Sequence, residues 1–436
     1  MFALQNIRIS KYFLPLNSLL ISHSRNLDYL HQIDVNPAAK CDATIQHELD
    51  SCEKNAILRK HRNNVPAIRT ILENLNATHL SQTEIQKLQK SLQLELLKLP
   101  NKTHPRVLNY GDDPKELSRY NKQTEFTFKP KEFSELATKA NLFRMDHLGN
   151  FTGHKSYYLM GAAAEMEHAL TEYFLTKLKS VGFRLMSVPD ILPKEVIEGC
   201  GMQTSGERTQ VYKLNSGKCL SGTSEMALAG FFANKIFDEE ELPIKVTSVS
   251  RCYRAETSGL HEEKGMYRVH QFTKVEMFSV CAEEKSEEML ESFKNIEISL
   301  FDKLGIHFKL LDMPPSELGA PAYQKYDIES WMPGRQMWGE ISSCSNCTDY
   351  QAKRLNIRYR TANNEIKYAH TVNGTAGAIP RLLITLFENN QLENGAIRVP
   401  TELRKYINNI EEIKKEKRLP ELKLVKHISS PKVTDT

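Results

Sequence analysis

The residues best suited to chemistry fall between Val246 and Val280, where two β-rich runs flank a polar loop at 257–264. Strand side chains alternate, so Arg254 and Glu256 share one face of the first run, and Arg268, His270, Phe272, Lys274 and Glu276 share one face of the second. Charged groups on a central hairpin cost free energy unless they meet water or a ligand. One reading is the solvated outer face of an ordinary hairpin. The other is a ligand site, in which Phe272 stacks on a base and the arginines meet phosphate.

Three further clusters carry polar chemistry. In Gly222 to Glu225, Thr223 and Glu225 stand two apart, and a hydroxyl beside a carboxylate suits a small ammonium- or hydroxyl-bearing ligand. In Trp338 to Arg354, Glu340 and Ser343 are candidates to hold a divalent cation and its phosphates. The Cys344 and Cys347 pair lacks a second pair at zinc-site spacing, so these are expected as buried small residues and no zinc is expected. His370 to Gln391 reads as a strand, a glycine-bearing turn and a helix opening at Pro380. That puts Arg381 at the positive end of a helix, where an anion is favoured, while Leu382, Leu383, Leu386 and Phe387 form the buried stripe. No GxxxxGK[ST] or helix-opening GxGxxG occurs, so a nucleotide would not be held by a P-loop or dinucleotide fold.

The elements that must position these residues are short β-rich runs alternating with helices. A helix is expected over about 159–180, and strands at Phe183 to Val188, Ile244 to Arg254, Tyr267 to Val280 and His307 to Leu311. This predicts an α+β fold, a mostly antiparallel sheet flanked by helices. The body is expected to begin near Gly153, after a polar connection from Pro100 to about Arg144. From about 44 to 99, leucines and isoleucines at helical spacing predict a hairpin of two helices, with a turn at Asn74 to His79 and a capping box at Ser81 and Glu84. Pro66 is expected to kink or split the first helix, whose Lys54, Arg59, Lys60, Arg62 and Arg69 leave room for phosphate contacts.

Charge balance and cysteine usage narrow the class. With 58 Lys+Arg against 54 Asp+Glu, a net +4, the chain is not a uniformly basic nucleic-acid binder. Its eight cysteines form no secreted-type framework, and no apolar run approaches the roughly 20 residues of a membrane span. The first acidic residue is Asp28, preceded by Arg8, Lys11, Arg25 and several serines, the composition of a mitochondrial transit peptide; a secretory signal is the competing reading. From Asn409, seven Lys/Arg and five Asp/Glu predict a loosely attached tail.

In this order the clusters resemble the class II aminoacyl-tRNA synthetases, specifically the seryl branch of mitochondrial type. The likeness covers about residues 98–408 and includes the LKLPNKTHP segment ending at Pro105. The three class motifs are GFRLMSVPDILPKEVIEGCGM from Gly182, the Arg-x-Glu hairpin, and GTAGAIPRLLITLFENNQ from Gly374; GTSE, ESWMPGR and EISSCSNCTDYQ are seryl signatures. The resemblance implies a serine–tRNA ligase using ATP and Mg2+, with L-serine and mitochondrial tRNA(Ser) as substrates, as a homodimer in the mitochondrial matrix and not in a membrane. It implies that Arg254 holds the α-phosphate and the reacting carboxylate, that Ala255 belongs to the ATP site, that Glu256 lies near the adenine, and that Phe272 stacks on the adenine. Arg268 and Arg381 would hold the polyphosphate and Val269 line its site, while Ile341 and Ser342 accompany Glu340 and Ser343, the magnesium ligands. Thr223, Ser224, Glu225, Glu276, Asn373 and Thr375 fall where the branch binds serine, and Pro189 at the dimer interface. The implied domains are a transit peptide over 1–25, a tRNA-binding arm over 26–105, shorter than in bacterial members, a catalytic domain over 106–408 and a tail over 409–436. Two alternatives remain at this level: a catalytically inactive paralogue with a structural, regulatory or nucleic-acid-binding role, and an enzyme making an aminoacyl-adenylate for a carrier protein.

Overall fold

The computed structural model describes residues 43–76, 80–145, 155–206, 209–256 and 265–419. The stretch 1–25 and the loop 257–264 lie outside them. The arm consists of three helices rather than two: α1 (Ala43–Leu58), α2 (Val65–Leu75) and α3 (Gln82–Leu97). The expected first helix is split, and Pro66 sits in the first turn of α2, where its missing N–H has no helical partner to lose. The helix runs on to Leu75, into the expected turn, and 77–79 lie outside the described residues. The capping box at Ser81 is present: its hydroxyl accepts from the Glu84 N–H at 3.3 Å and the Glu84 carboxylate from the Ser81 N–H at 2.8 Å. Such a cap stabilises a helix by about 1 kcal/mol.

Leu49, Val65, Ile68, Leu72, Leu92 and Leu99 form the arm's own core. Three of the basic residues read as free for phosphate are engaged within the protein. Arg59 is buried and donates to the carbonyls of Asn101 (2.7 Å), Lys102 (3.1 Å) and Gly319 (2.5 Å). Arg69 pairs with Asp50 and Glu53, and Lys60 with Asp112.

The body is built on eight strands: β1 (Lys115–Tyr120), β2 (Arg184–Leu185), β3 (Ile244–Tyr253), β4 (Gln271–Cys281), β5 (Phe308–Asp312), β6 (Gln324–Met332), β7 (Met337–Thr348) and β8 (His370–Ala378). They run in the order β1-β5-β6-β7-β8-β4-β3-β2, antiparallel except where β2 meets β3. The fold is α+β, as expected. The stretch expected as a polar connection instead contains β1, the sheet's edge, which pairs with β5 from Lys115 opposite Asp312 to Tyr120 opposite Phe308. An edge strand with one solvated side shows little alternation; what secures it is the Tyr120 ring stacked 4.7 Å from that of Phe308.

Around the sheet pack α4 (Phe133–Lys139), α5 (Gly161–Ser180), α6 (Ser224–Phe231), α7 (Ser286–Lys303), α8 (Tyr350–Leu355) and α9 (Ile379–Asn389). α5, α7 and α9 supply Leu170, Phe174, Phe293, Leu382 and Phe387 to the main core. α6 and α8 close a second core over Phe278 and Val280 of β4. Arg354 of α8 fastens the arm from the body's side, donating to the carbonyls of Leu97 (2.7 Å) and Leu99 (3.2 Å). Among the described residues no helix is long and apolar enough to cross a membrane.

The segment after Asn409 is anchored to the body at two points, while residues 414–419 are solvent-exposed. Glu412–Ile413 pairs with Ile397–Arg398, and Ile413 is buried. The Glu416 carboxylate accepts from the N–H of Ala162 at 2.8 Å, at the start of α5. Gly161 makes room for it: its φ is +47° and a Cβ would overlap the carboxylate. One buried isoleucine and one capping glutamate are too sparse a signal to stand out in a charged segment.

Gly377 sits at a bulge where β8 shifts register against β4, and a Cβ there would overlap the buried Phe174 ring. Gly377→Ala is therefore expected to lower stability by about 1–3 kcal/mol. Urea unfolding with an unchanged midpoint would show that the bulge has slack.

Candidate active site

Arg254 and Glu256 lie beyond the end of β3, whose last residue is Tyr253, and Arg268 precedes β4. They therefore do not share strand faces as the alternation predicts; the chain leaves the ladder, and the Arg254 N–H donates to the His270 carbonyl at 2.9 Å. Phe272, Lys274 and Glu276 do follow the strand alternation on β4. The same cleft is nonetheless formed. Arg254, Glu256, Arg268, Val269 and Phe272 line it with Glu340, Ile341, Ser342 and Ser343 of β7, Thr375 of β8 and Arg381 of α9. Ala255 is not among the lining residues and donates its N–H to Gln210 O at 2.8 Å. His270 hydrogen-bonds Tyr212.

Positive charge dominates the cleft. The Arg381 guanidinium lies 4.5 Å from the Tyr267 ring centre and donates to the Glu340 carboxylate and carbonyl, each at 3.0 Å. Burial works against the Glu340 charge, but Lys325 and Arg381 beside it hold its carboxyl below the usual range. Arg268 donates to Glu256 at 3.1 Å, and the Arg254 guanidinium lies 5.3 Å from the Phe272 ring centre. Three guanidiniums against two carboxylates suit an anionic ligand carrying a flat ring.

Behind Lys274 and Thr375 lies a largely buried cluster of polar side chains. Thr223 caps α6: its hydroxyl accepts from the Glu225 N–H at 3.3 Å and donates to Glu276 at 3.0 Å. Thr223 and Glu225 thus belong to a helix start, not to a strand face, since a threonine cap followed by a carboxylate in the first turn favours a helix. Glu276 is fully buried and paired with Lys274, while its second oxygen has no hydrogen-bond partner. Glu225 accepts from Asn373 at 2.9 Å and from Gln351 at 2.6 Å. Burial, and then the neighbouring Glu276 charge, push its carboxyl up to about 7. The Ser224 hydroxyl is buried without a partner. Two close carboxylates offset by one lysine suit a small ligand bearing an ammonium and a hydroxyl.

Several residues with a stake in the site were not selected from sequence. Lys274 is one of them, and its signal is a lysine that alternates with Phe272 and Glu276 on a strand otherwise buried. Asp327 of β6, in register opposite Ser343 and bonded to Lys325 at 2.8 Å, has one buried oxygen without a partner. Cys344 lies in the main core, and the Cys347 thiol points to the Asn373 amide oxygen at 3.7 Å.

Residues 211–390 match the tRNA synthetase class II core domain (G, H, P, S and T). The chain is 42% identical over 346 residues to the mitochondrial serine–tRNA ligase of Mus musculus, a match covering 78% of this chain and 66% of that protein, just under two thirds. It is 42% identical over 336 residues to the serine–tRNA ligase of Dictyoglomus thermophilum, covering 76% of this chain and 79% of the relative. Among solved structures, seryl-tRNA synthetase from Pyrococcus horikoshii complexed with ATP superposes with a TM-score of 0.71 at 30% identity, over 86% of this chain and 89% of that one.

Lys274→Met removes the counter-charge of a fully buried carboxylate, and a loss of about 3–5 kcal/mol is expected. The double variant with Glu276→Gln should recover part of it in urea unfolding; strictly additive losses would show that the two side chains do not depend on each other.

Proposed function

The chain belongs to the serine–tRNA ligases of class II, and on that premise we propose that it activates L-serine with ATP and passes the seryl group to the 3′ end of mitochondrial tRNA(Ser). The observation that carries this reading is an arginine-lined cleft bordered at Lys274 and Thr375 by a polar cluster that holds the two carboxylates Glu276 and Glu225. The cleft fits a nucleoside polyphosphate and the cluster fits serine's ammonium and hydroxyl. Their junction is where serine's carboxylate meets the α-phosphate.

In this reading Glu276 and Glu225 receive the ammonium and hydroxyl, with Thr223, Asn373 and Thr375 completing the polar contacts. Serine's carboxylate oxygen attacks the α-phosphorus, the bond to the β-phosphate oxygen breaks and pyrophosphate leaves. Arg254 meets the charge at the α-phosphate, and Arg268 and Arg381 that of the leaving group, so acceleration comes from positioning and electrostatics without a protein nucleophile. A ribose 3′-hydroxyl of tRNA then attacks the seryl carbonyl and releases AMP. A pocket built to hydrogen-bond a hydroxyl rejects alanine, which leaves those groups unpaired.

Magnesium fits the donor set. A hard cation that shares substrate phosphates and water needs only one or two protein oxygens, and the ionised Glu340 with the Ser343 hydroxyl supplies them at the cleft wall. The chemistry such an ion supplies is positive charge on the phosphate oxygens. Among the described residues no three His, Cys, Asp or Glu side chains converge as a metal site.

The mitochondrial assignment rests on the murine relative's printed name and the transit-like composition of residues 1–25. The homodimer reading rests on class resemblance and on the exposed apolar Val181, Leu185 and Ile191 beside Pro189. The tRNA-binding role of α1–α3 rests on resemblance too, with Arg59 assigned to fastening the arm rather than to phosphate.

Purified protein should catalyse serine-dependent ATP–pyrophosphate exchange and charge mitochondrial tRNA with labelled serine. Arg254→Ala should lower exchange at least about 100-fold without unfolding the protein. A folded, dimeric wild type that neither exchanges nor charges would favour the inactive-paralogue reading. Exchange that is undiminished when α1–α3 is disrupted, with tRNA charging lost, would argue for the arm's tRNA role.

A further inference from the structure

Glu225 is held by two amides. Asn373 belongs to the expected serine site, whereas Gln351 is the last residue of the EISSCSNCTDYQ signature and carries no expected role. Gln351 is fully buried in α8, donates to Glu225 Oε1 at 2.6 Å, and its own amide oxygen accepts from the Thr371 hydroxyl at 2.7 Å. Thr371 is equally buried on β8. The orientation of the amide is dictated by its neighbours: reversed, it would set an oxygen against a carboxylate oxygen. The helix carrying Gln351 is also fixed. One turn on, Arg354 stacks 3.3 Å from the Tyr350 ring centre and donates to the carbonyls of Leu97 and Leu99, and Leu355 packs where a Cβ on Gly199 would collide. A six-residue helix anchored this way gives its side chains little freedom.

We propose that Gln351, braced by Thr371, is a positioning residue that fixes the Glu225 carboxylate in its ionised, serine-binding orientation. The inference rests on the reading of Glu225 as part of the serine pocket. It differs from a filler role because a merely satisfied buried amide would not govern when Glu225 gains its charge. The groups facing Glu225 that bear on its proton are Glu276 and Lys274 of β4, the Cys200 thiol and the Cys347 thiol. Glu276 favours the neutral acid, while Lys274, Gln351 and Asn373 favour the anion. Removing the Gln351 donor leaves burial and Glu276 less opposed, so Glu225 should ionise at higher pH.

The test uses Gln351→Met, close in shape but without a donor, and Thr371→Val with Thr371→Ser as the conservative control. In exchange assays across pH, Gln351→Met should raise KM for serine about tenfold while kcat at saturating serine falls less than twofold. The acidic limb of kcat/KM should move to higher pH. Thr371→Val should move both in the same direction by a smaller factor, and Thr371→Ser should restore them. Unchanged KM and an unmoved limb in Gln351→Met would overturn the proposal, as would a fall in kcat alone. Should Gln351→Met fail to fold, the Thr371 pair decides: equal behaviour of Thr371→Val and Thr371→Ser overturns it. Infrared titration of each protein minus its Glu225→Gln counterpart reads the carboxyl directly, without substrate. A raised midpoint in Thr371→Val or Gln351→Met supports the positioning role even if the wild type shows no exchange, an outcome that would defeat only the serine reading. An unmoved midpoint defeats the positioning role itself.

Discussion

Two carboxylates, the fully buried Glu276 and the half-buried Glu225, sit between α6 and the central strands, and the architecture of the site follows from having to keep them there. A buried anion needs either a cation or several donors, and both are provided by elements distant in sequence. Lys274 comes from β4, Thr223 from the cap of α6, Asn373 from β8 and Gln351 from α8. Each of those elements is thereby bound to the others through the pocket. The cleft next door inverts the problem: its arginines exceed its carboxylates, and the balance is left for a ligand to complete.

Much of this was legible because the informative residues sit in short, dense clusters. The β3–β4 hairpin, the helix opening at Pro380 and the cap at Ser81 each follow from local chemistry that tertiary context did not override. The lining residues were mostly identified, yet for partly wrong geometric reasons. Alternation placed Arg254 and Glu256 on a strand, whereas they follow its end, where the backbone turns to aim their side chains inward.

What stayed hidden depends on partners far along the chain. Nothing in the polar run around Lys115 announces an edge strand until β5 is beside it. Pro66 looks like a defect in one helix and is the beginning of another. Arg59 looks like a phosphate ligand in a basic helix and instead spends its donors on carbonyls from two other segments. Gln351 gives no sign of function by type, because an amide acquires a role only from the two groups it joins.

The contact between Glu416 and the start of α5 ties together groups 254 residues apart. During translation the helix exits the ribosome long before its cap exists, and the space above Gly161 stays open until Glu416 arrives. A chain that stops short of Glu416 therefore leaves the start of α5 without this acceptor, and one that stops short of Glu412 leaves the strand at Ile397 unpaired.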